Sequence, residues 1–353
     1  MPSSRRQRGL SLVELMVALV IGLILVLGLV EVFGASRAAY QLSEGMGRAQ
    51  ENGRFAIDFL QRDIRMAGHF GCVNDQARRL TDDAFNSHFG VDGALDFGYS
   101  IRGYEDASPD DIDLSPERID GTDTLVLRFL RGNGAPILTV DTSNPAAPFA
   151  TVDPAKWSVL QDSGVASPEM FGVADCAYAD VFSADAVDAA SGKVTAPAGV
   201  DLGRYGTSPG GGPAMLYRAE VVVYYIGLGA GGQPSLWRAR LNGDGDVASE
   251  ELVEGIENLQ LRYGMDRNDA TDPTGFMDTQ GTADDVGDAD LDWRAVGQVQ
   301  VALLAASPAP AAAAQASQVE PNLLGEAVDA PDDGRYRAVY ETTIALRNRL
   351  YGN

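Results

Sequence analysis

The sequence predicts an α+β fold: a long N-terminal helix, membrane-spanning in its first half, packed on an antiparallel β-sheet with long loop insertions. Three observations lead there. From Leu10 to Val30 the only ionisable side chain is Glu14. From Ser36 onward the pattern becomes amphipathic at helical spacing. Beyond about residue 121 the period changes to two.

The apolar run is long enough to cross a bilayer as a helix, which takes about 20 residues. Arg5, Arg6 and Arg8 precede it. The positive-inside rule therefore keeps the extreme N-terminus in the cytoplasm and sends the remainder across. The expected location is a single pass through the inner membrane with the globular part in the periplasm. A secretory signal peptide would have a shorter apolar core and a small-residue cleavage site after it. A plain signal anchor fits the charges but leaves Gly9 and Glu14 unexplained. A carboxylate inside such a helix costs about 2.5–3.5 kcal/mol even on insertion scales, so Glu14 calls for a partner.

Past the membrane segment, Leu42, Met46, Ala49, Ala56, Leu60, Ile64 and Ala67 recur at steps of three, four or seven. Arg48, Glu51, Arg54, Asp58, Arg62 and Asp63 fall mostly on the other face, an amphipathic helix pattern. Gly68 is the expected C-cap. Gly22, Gly28, Gly34, Gly45, Gly47 and Gly53 interrupt the helix at about 1 kcal/mol each relative to Ala, which predicts local bending or melting.

The expected organisation is a leader at 1–9, a transmembrane and assembly helix at 10–33 and its amphipathic continuation at 34–68. A loop-rich connection at 69–120 leads to a β-rich domain at 121–353. In that domain Leu125, Leu127 and Phe129 alternate with polar or outward positions, and Val221 to Ile226 is apolar on both faces. Further alternating runs surround Trp237, Leu259, Val299 and Tyr336 to Leu346. Short connections favour antiparallel pairing, with the helix covering one face. Segments 142–213, 265–292 and 305–333 read as insertions, and Ser307 to Ser317 as a mobile loop.

The 353-residue chain has a net charge of −23. Loss of Arg5, Arg6 and Arg8 with a leader would leave −26. Such a surface repels nucleic acid and anionic headgroups, so no nucleic-acid partner is expected. Cys72 and Cys176 are the only cysteines and lie on the exported side. In an oxidising periplasm they are most simply a disulfide; two buried thiols are the alternative.

Gly9-Leu10-Ser11-Leu12-Val13-Glu14-Leu15-Met16-Val17-Ala18 resembles the class III leader of type IV pilins and type II secretion pseudopilins. The resemblance implies that prepilin peptidase cuts between Gly9 and Leu10 and that the Leu10 amine is methylated; Leu10 stands where the family usually has Phe. It also implies that Glu14 docks the subunit. A charged Leu10 amine lies about one helical turn from Glu14, and Glu14 of one subunit can neutralise the amine of its neighbour. Neither charge then stays unpaired in an apolar bundle, where an orphan would cost several kcal/mol. Snorkelling of Glu14 to the headgroups is the simpler alternative.

Phe55 to Gly68, Gly255 to Gly264 and Tyr336 to Asn348 resemble the PilW-type minor pilins. That resemblance implies a minor pilin acting in assembly initiation and incorporated into the pilus fibre on the cell surface, near its tip. The implied partners are other minor pilins, the major pilin, prepilin peptidase and the inner-membrane assembly platform. Two alternatives stay open: a minor pseudopilin of type II secretion, and a tip adhesin or binding module with a calcium site.

The remaining motifs offer little chemistry. Gly227 to Gly232 matches G-x-G-x-x-G but runs into Gln233-Pro234 and a strand where a dinucleotide site needs a helix. Asn242, Asp244 and Asp246 are weak calcium candidates, because the loop has Val247 at its sixth position and Val253 at its twelfth. His69 and His88 lack zinc-site spacing. The chain is expected to be no enzyme and to need no cofactor.

Overall fold

A computed structural model describes residues 11–73, 84–90, 93–161, 165–205, 213–266, 275–288, 293–311 and 320–348. Gly9 and Leu10 lie outside them, as does the 312–317 part of the expected mobile loop.

One helix runs without interruption from Leu12 to Ile64, about 80 Å at 1.5 Å per residue. Ser11 caps it. The Ser11 hydroxyl accepts from the Glu14 N–H at 3.2 Å, and the Glu14 carboxylate accepts from the Ser11 N–H at 3.4 Å. This reciprocal capping box satisfies two amides that the helix leaves over. The far end closes at Arg65, with Gly68 three residues beyond at φ 74°. The helix therefore ends before the expected cap.

The glycines do not interrupt it. Gly53 sits where an added Cβ would come within 2.5 Å of the Tyr340 ring, and at Gly45 within 3.1 Å of Ser307 Cβ. These two let the helix approach the sheet closely. Gly22, Gly28, Gly34 and Gly47 face open space. The i→i−4 ladder and tertiary packing outweigh their individual penalties.

The β-structure forms two main sheets, where the sequence suggested one. A four-stranded antiparallel sheet has the order Thr279–Gly281, Ile256–Met265, Val296–Pro310, Arg335–Ala345. The helix packs on its last two strands. An eleven-stranded sheet is built around the antiparallel pair Thr124–Asp141 and Met215–Leu228. One short pair, Phe85–Ser87 with Ala179–Ser183, is parallel. The main core lies between the helix, the smaller sheet and the facing side of the larger one. Ala56, Leu60 and Ile64 meet Leu127, Tyr224, Leu261, Val301 and Ile344 there.

The expected insertion at 142–213 is largely structured. It contributes Phe149–Val152, Met170–Ala174, Ala179–Ser183, Ala186–Asp188 and Lys193–Thr195. Their own core gathers Trp157, Leu160, Phe171, Val173 and Phe182. The start of the expected 307–317 loop also differs, because the strand runs through Ser307 to Pro310. Cys72 and Cys176 are bonded, joining the end of the helix to this insertion across 104 residues of sequence.

Candidate functional site: an exposed apolar helix and its seat

The helix is two objects in one. Its first half exposes every large apolar side chain: from Leu12 to Phe33 these are between 53% and 75% exposed. Among the described residues it is the one helix long and apolar enough to cross a membrane, and none of that window is buried. A folded protein rarely leaves an apolar surface of this extent in water. Glu14 stands at the head of this surface, exposed and held within the cap. Its charge is favourably placed at the positive end of the helix dipole.

The second half is seated. Gly45, Ala49, Gly53, Ala56, Leu60, Asp63 and Ile64 form its buried stripe, small residues first and large ones last. Asn52 Nδ2 donates to the Glu254 carbonyl at 2.8 Å. Asn348 Nδ2 reaches the carbonyls of Arg65 and Ala67 at 3.2 and 3.1 Å, closing the helix end from the last strand's side.

Asp63 departs from the expected polar face: it is 1% exposed. Arg131 Nη1 donates to its Oδ1 at 3.0 Å, while Arg238 Nη1 and the Tyr224 hydroxyl donate to Oδ2 at 3.1 and 2.7 Å. Both arginines continue outward, Arg238 to Glu250 and Arg131 to Glu220. Burial first, and then the Asp63 charge, push the Tyr224 hydroxyl well above its ordinary value. Burial works against the charge on Arg238, but Tyr224, Glu250 and Asp63 more than offset this and raise its pKa. The group is thus a fixed ion cluster pinning the helix to the larger sheet. Asp63, Arg131, Tyr224 and Arg238 come from four separate elements, the helix and three strands, and the helical pattern alone puts Asp63 on the polar face.

The other sequence candidates lie in turns and local hydrogen bonds. Gly227 to Gly232 forms a hairpin loop, closed by Gly229 N–H to the Gln233 carbonyl at 2.8 Å. Asn242, Asp244 and Asp246 lie in a turn joining Pro234–Leu241 to a further strand, Val247–Glu254, that the sequence reading missed. The Asn242 side-chain oxygen accepts from the amides of Asp244 and Asp246. Among the described residues no group of three or more His, Cys, Asp or Glu is placed to hold a metal. His69 Nδ1 meets the Leu130 carbonyl at 2.7 Å, and His88 Nε2 meets Asp180 at 2.9 Å.

A β-domain mounted on one helix, with half of that helix left apolar and bare, defines a protein built to be anchored or bundled through its N-terminus. Residues 4–30 match the prokaryotic N-terminal methylation motif. Residues 223–348 match the family model of type IV pilus-assembly protein W. The chain is thus similar to the methylation motif at its N-terminus and to that assembly protein over residues 223–348. The latter region holds most of the helix's seat, including Arg238, Glu254, Ser307, Tyr340 and Asn348. Comparison with curated proteins gives no match. Among solved structures, the type IV-like pilin TTHA1219 from Thermus thermophilus is similar at 11% identity. That alignment covers 86% of this chain and 98% of the other, with a TM-score of 0.33, too low for inference.

Proposed function

We propose that this chain is a minor pilin that acts in initiation of type IV pilus assembly and enters the fibre, near its tip. One observation carries the reading most directly: the unbroken helix has an apolar half that no other part of the described residues covers. A membrane covers that surface before assembly, and neighbouring subunit helices cover it afterwards. In this reading prepilin peptidase cuts after Gly9, and the Leu10 amine is methylated. The globular part stands in the periplasm, where Cys72 and Cys176 are oxidised. The partners are other minor pilins, the major pilin and the inner-membrane assembly platform.

Glu14 then has two roles. Within the subunit it completes the cap with Ser11. Between subunits its carboxylate neutralises the amine of the neighbour beside which it docks, removing two unpaired charges from an apolar bundle. The match to the PilW model favours the pilus over type II secretion. The test is a Glu14→Ala chain expressed in a strain lacking its own copy. Cleavage and folding are expected to persist while the variant disappears from sheared pili; undiminished incorporation overturns the docking role.

A further inference from the structure

The smaller sheet ends on Arg335–Ala345, a strand of eleven residues. It pairs with Val296–Pro310 on one side and, among the described residues, with no strand on the other. The Leu346 N–H donates to the Gly297 carbonyl at 2.9 Å, one step beyond the pair of Gln298 with Ala345. Antiparallel alternation therefore turns the backbone groups of Ala338, Tyr340, Thr342 and Ile344 into the ladder. It points the N–H and C=O groups of Val339, Glu341, Thr343 and Ala345 out of the sheet edge. The same four residues are exposed. Nine consecutive pairs, from Gln298 with Ala345 to Ala306 with Arg337, hold the strand without a bulge.

The other strands that end the two main sheets are short or guarded. Phe85–Ser87, Ala186–Asp188 and Thr279–Gly281 have three residues each, and Ile101–Tyr104 has four. Val247–Glu254 carries Glu250, Glu251 and Glu254 and is broken by a register shift. Short length, charge and bulges are the devices that keep sheet edges from pairing. From Ala338 to Ala345 the last strand uses almost none of them: it has no Pro and no Lys. Its one charged side chain there, Glu341, accepts from the Leu324 N–H at 3.3 Å. Arg337, where the open stretch begins, is already held by Glu257 and Asp333.

A row of alternating unpaired donors and acceptors is complemented by the main chain of another extended strand. A second copy of this chain fits that place poorly. Tyr340 lies against Gly53, and Asn348 against Arg65 and Ala67, so strand and helix run in the same direction. Antiparallel pairing of two such edges would set the two helices in opposite directions, which anchoring in one membrane forbids. Any pairing of copies also brings together two chains of net charge −23, which repel.

We propose, building on the pilus reading above, that the edge from Val339 to Ala345 receives an extended strand of a different subunit of the assembly. The test compares amide hydrogen exchange, resolved residue by residue, in the tagged full-length chain alone in dodecyl maltoside and in sheared pili. Alone, the Val339, Glu341, Thr343 and Ala345 amides should exchange about tenfold or more faster than Ala338, Tyr340 and Thr342. In pili that difference should close. Thr343→Pro deletes one outward donor and spares the ladder to Val296–Pro310, whereas Thr343→Val keeps the donor. With melting temperatures confirming that both are folded, the proline variant should enter pili about tenfold less than the parent and the valine variant equally well. Outward amides that stay fast in the fibre, or a folded proline variant incorporated like the parent, overturn the proposal. So does a dimer of the chain alone, seen by light scattering and abolished by Thr343→Pro, since it gives the edge to a second copy. Exchange is also read in inner-membrane vesicles from the same cells. A parent chain missing from pili then defeats the pilus reading, while fast or slowed outward amides in the vesicles still decide the edge.

Discussion

Replacing Asp63 by Ala should be the most damaging single change in the helix seat. The carboxylate is 1% exposed and takes hydrogen bonds from Arg131, Arg238 and Tyr224. Removing it leaves two guanidinium groups facing each other without their shared acid. Breaking a buried pair by deleting one partner costs about 3–5 kcal/mol, because the remaining charge stays buried. At about 2–4 °C per kcal/mol for a domain of this class, the melting temperature should fall by about 6–20 °C. The assay is thermal unfolding of the full chain in detergent, beside Glu51→Ala, an exposed acid on the same helix. The control should stay within about 0.5 kcal/mol of the parent. Adding Arg131→Met and Arg238→Met to Asp63→Ala should recover much of the loss, since apolar groups can replace a buried ion cluster. An Asp63→Ala protein that melts with the control would refute the view that this cluster pins the helix.

Two further predictions use the same stability assay. Gly53→Ala should destabilise the protein by about 1–3 kcal/mol by driving a methyl into the Tyr340 ring. Gly47→Ala, with nothing within 4 Å, should instead stabilise it by up to about 1 kcal/mol; shifts of the same sign would contradict the close-approach explanation. Asp123 is held up at about 7 by burial and by the neighbouring Glu105 charge, against amide hydrogen bonds from Asp106 and Leu261. The folded state therefore keeps a proton that the unfolded chain releases near pH 4, so this group's contribution to stability falls as pH rises from about 4 to 7. Asp123→Asn should remove that decline from a melting-temperature series over pH, and an unaltered slope would discount the group.

Much of this architecture was legible because its signals were local and periodic. Leu125 to Phe129, Val221 to Ile226 and Leu259 to Tyr263 alternate or run apolar as strands must, and all three lie in strands. Ala49, Ala56, Leu60 and Ile64 repeat at helical steps and are buried. The misses have physical reasons. Gly53 and Gly45 look like helix breakers on propensity alone; their use appears only with Tyr340 and Ser307 opposite them. Asp63 reads as a surface acid until Arg131, Tyr224 and Arg238 converge on it from the other sheet. The 142–213 segment hides strands of three to five residues, too short for a period to stand out among Gly, Asp and Pro. The Ser11–Glu14 capping box is readable as S-x-x-E ahead of an apolar run.

Processing after Gly9 followed by incorporation into a fibre leaves a definite mark on the chain. Intact-mass and N-terminal analysis of protein recovered from sheared surface pili reads that mark. The expected species begins at Leu10 with a methylated amine, lacks the Arg5, Arg6 and Arg8 leader, and retains the Cys72–Cys176 bond. A chain that reaches the surface fraction still beginning at Met1, or a processed chain confined to the inner membrane while pili assemble unchanged without it, would contradict the account.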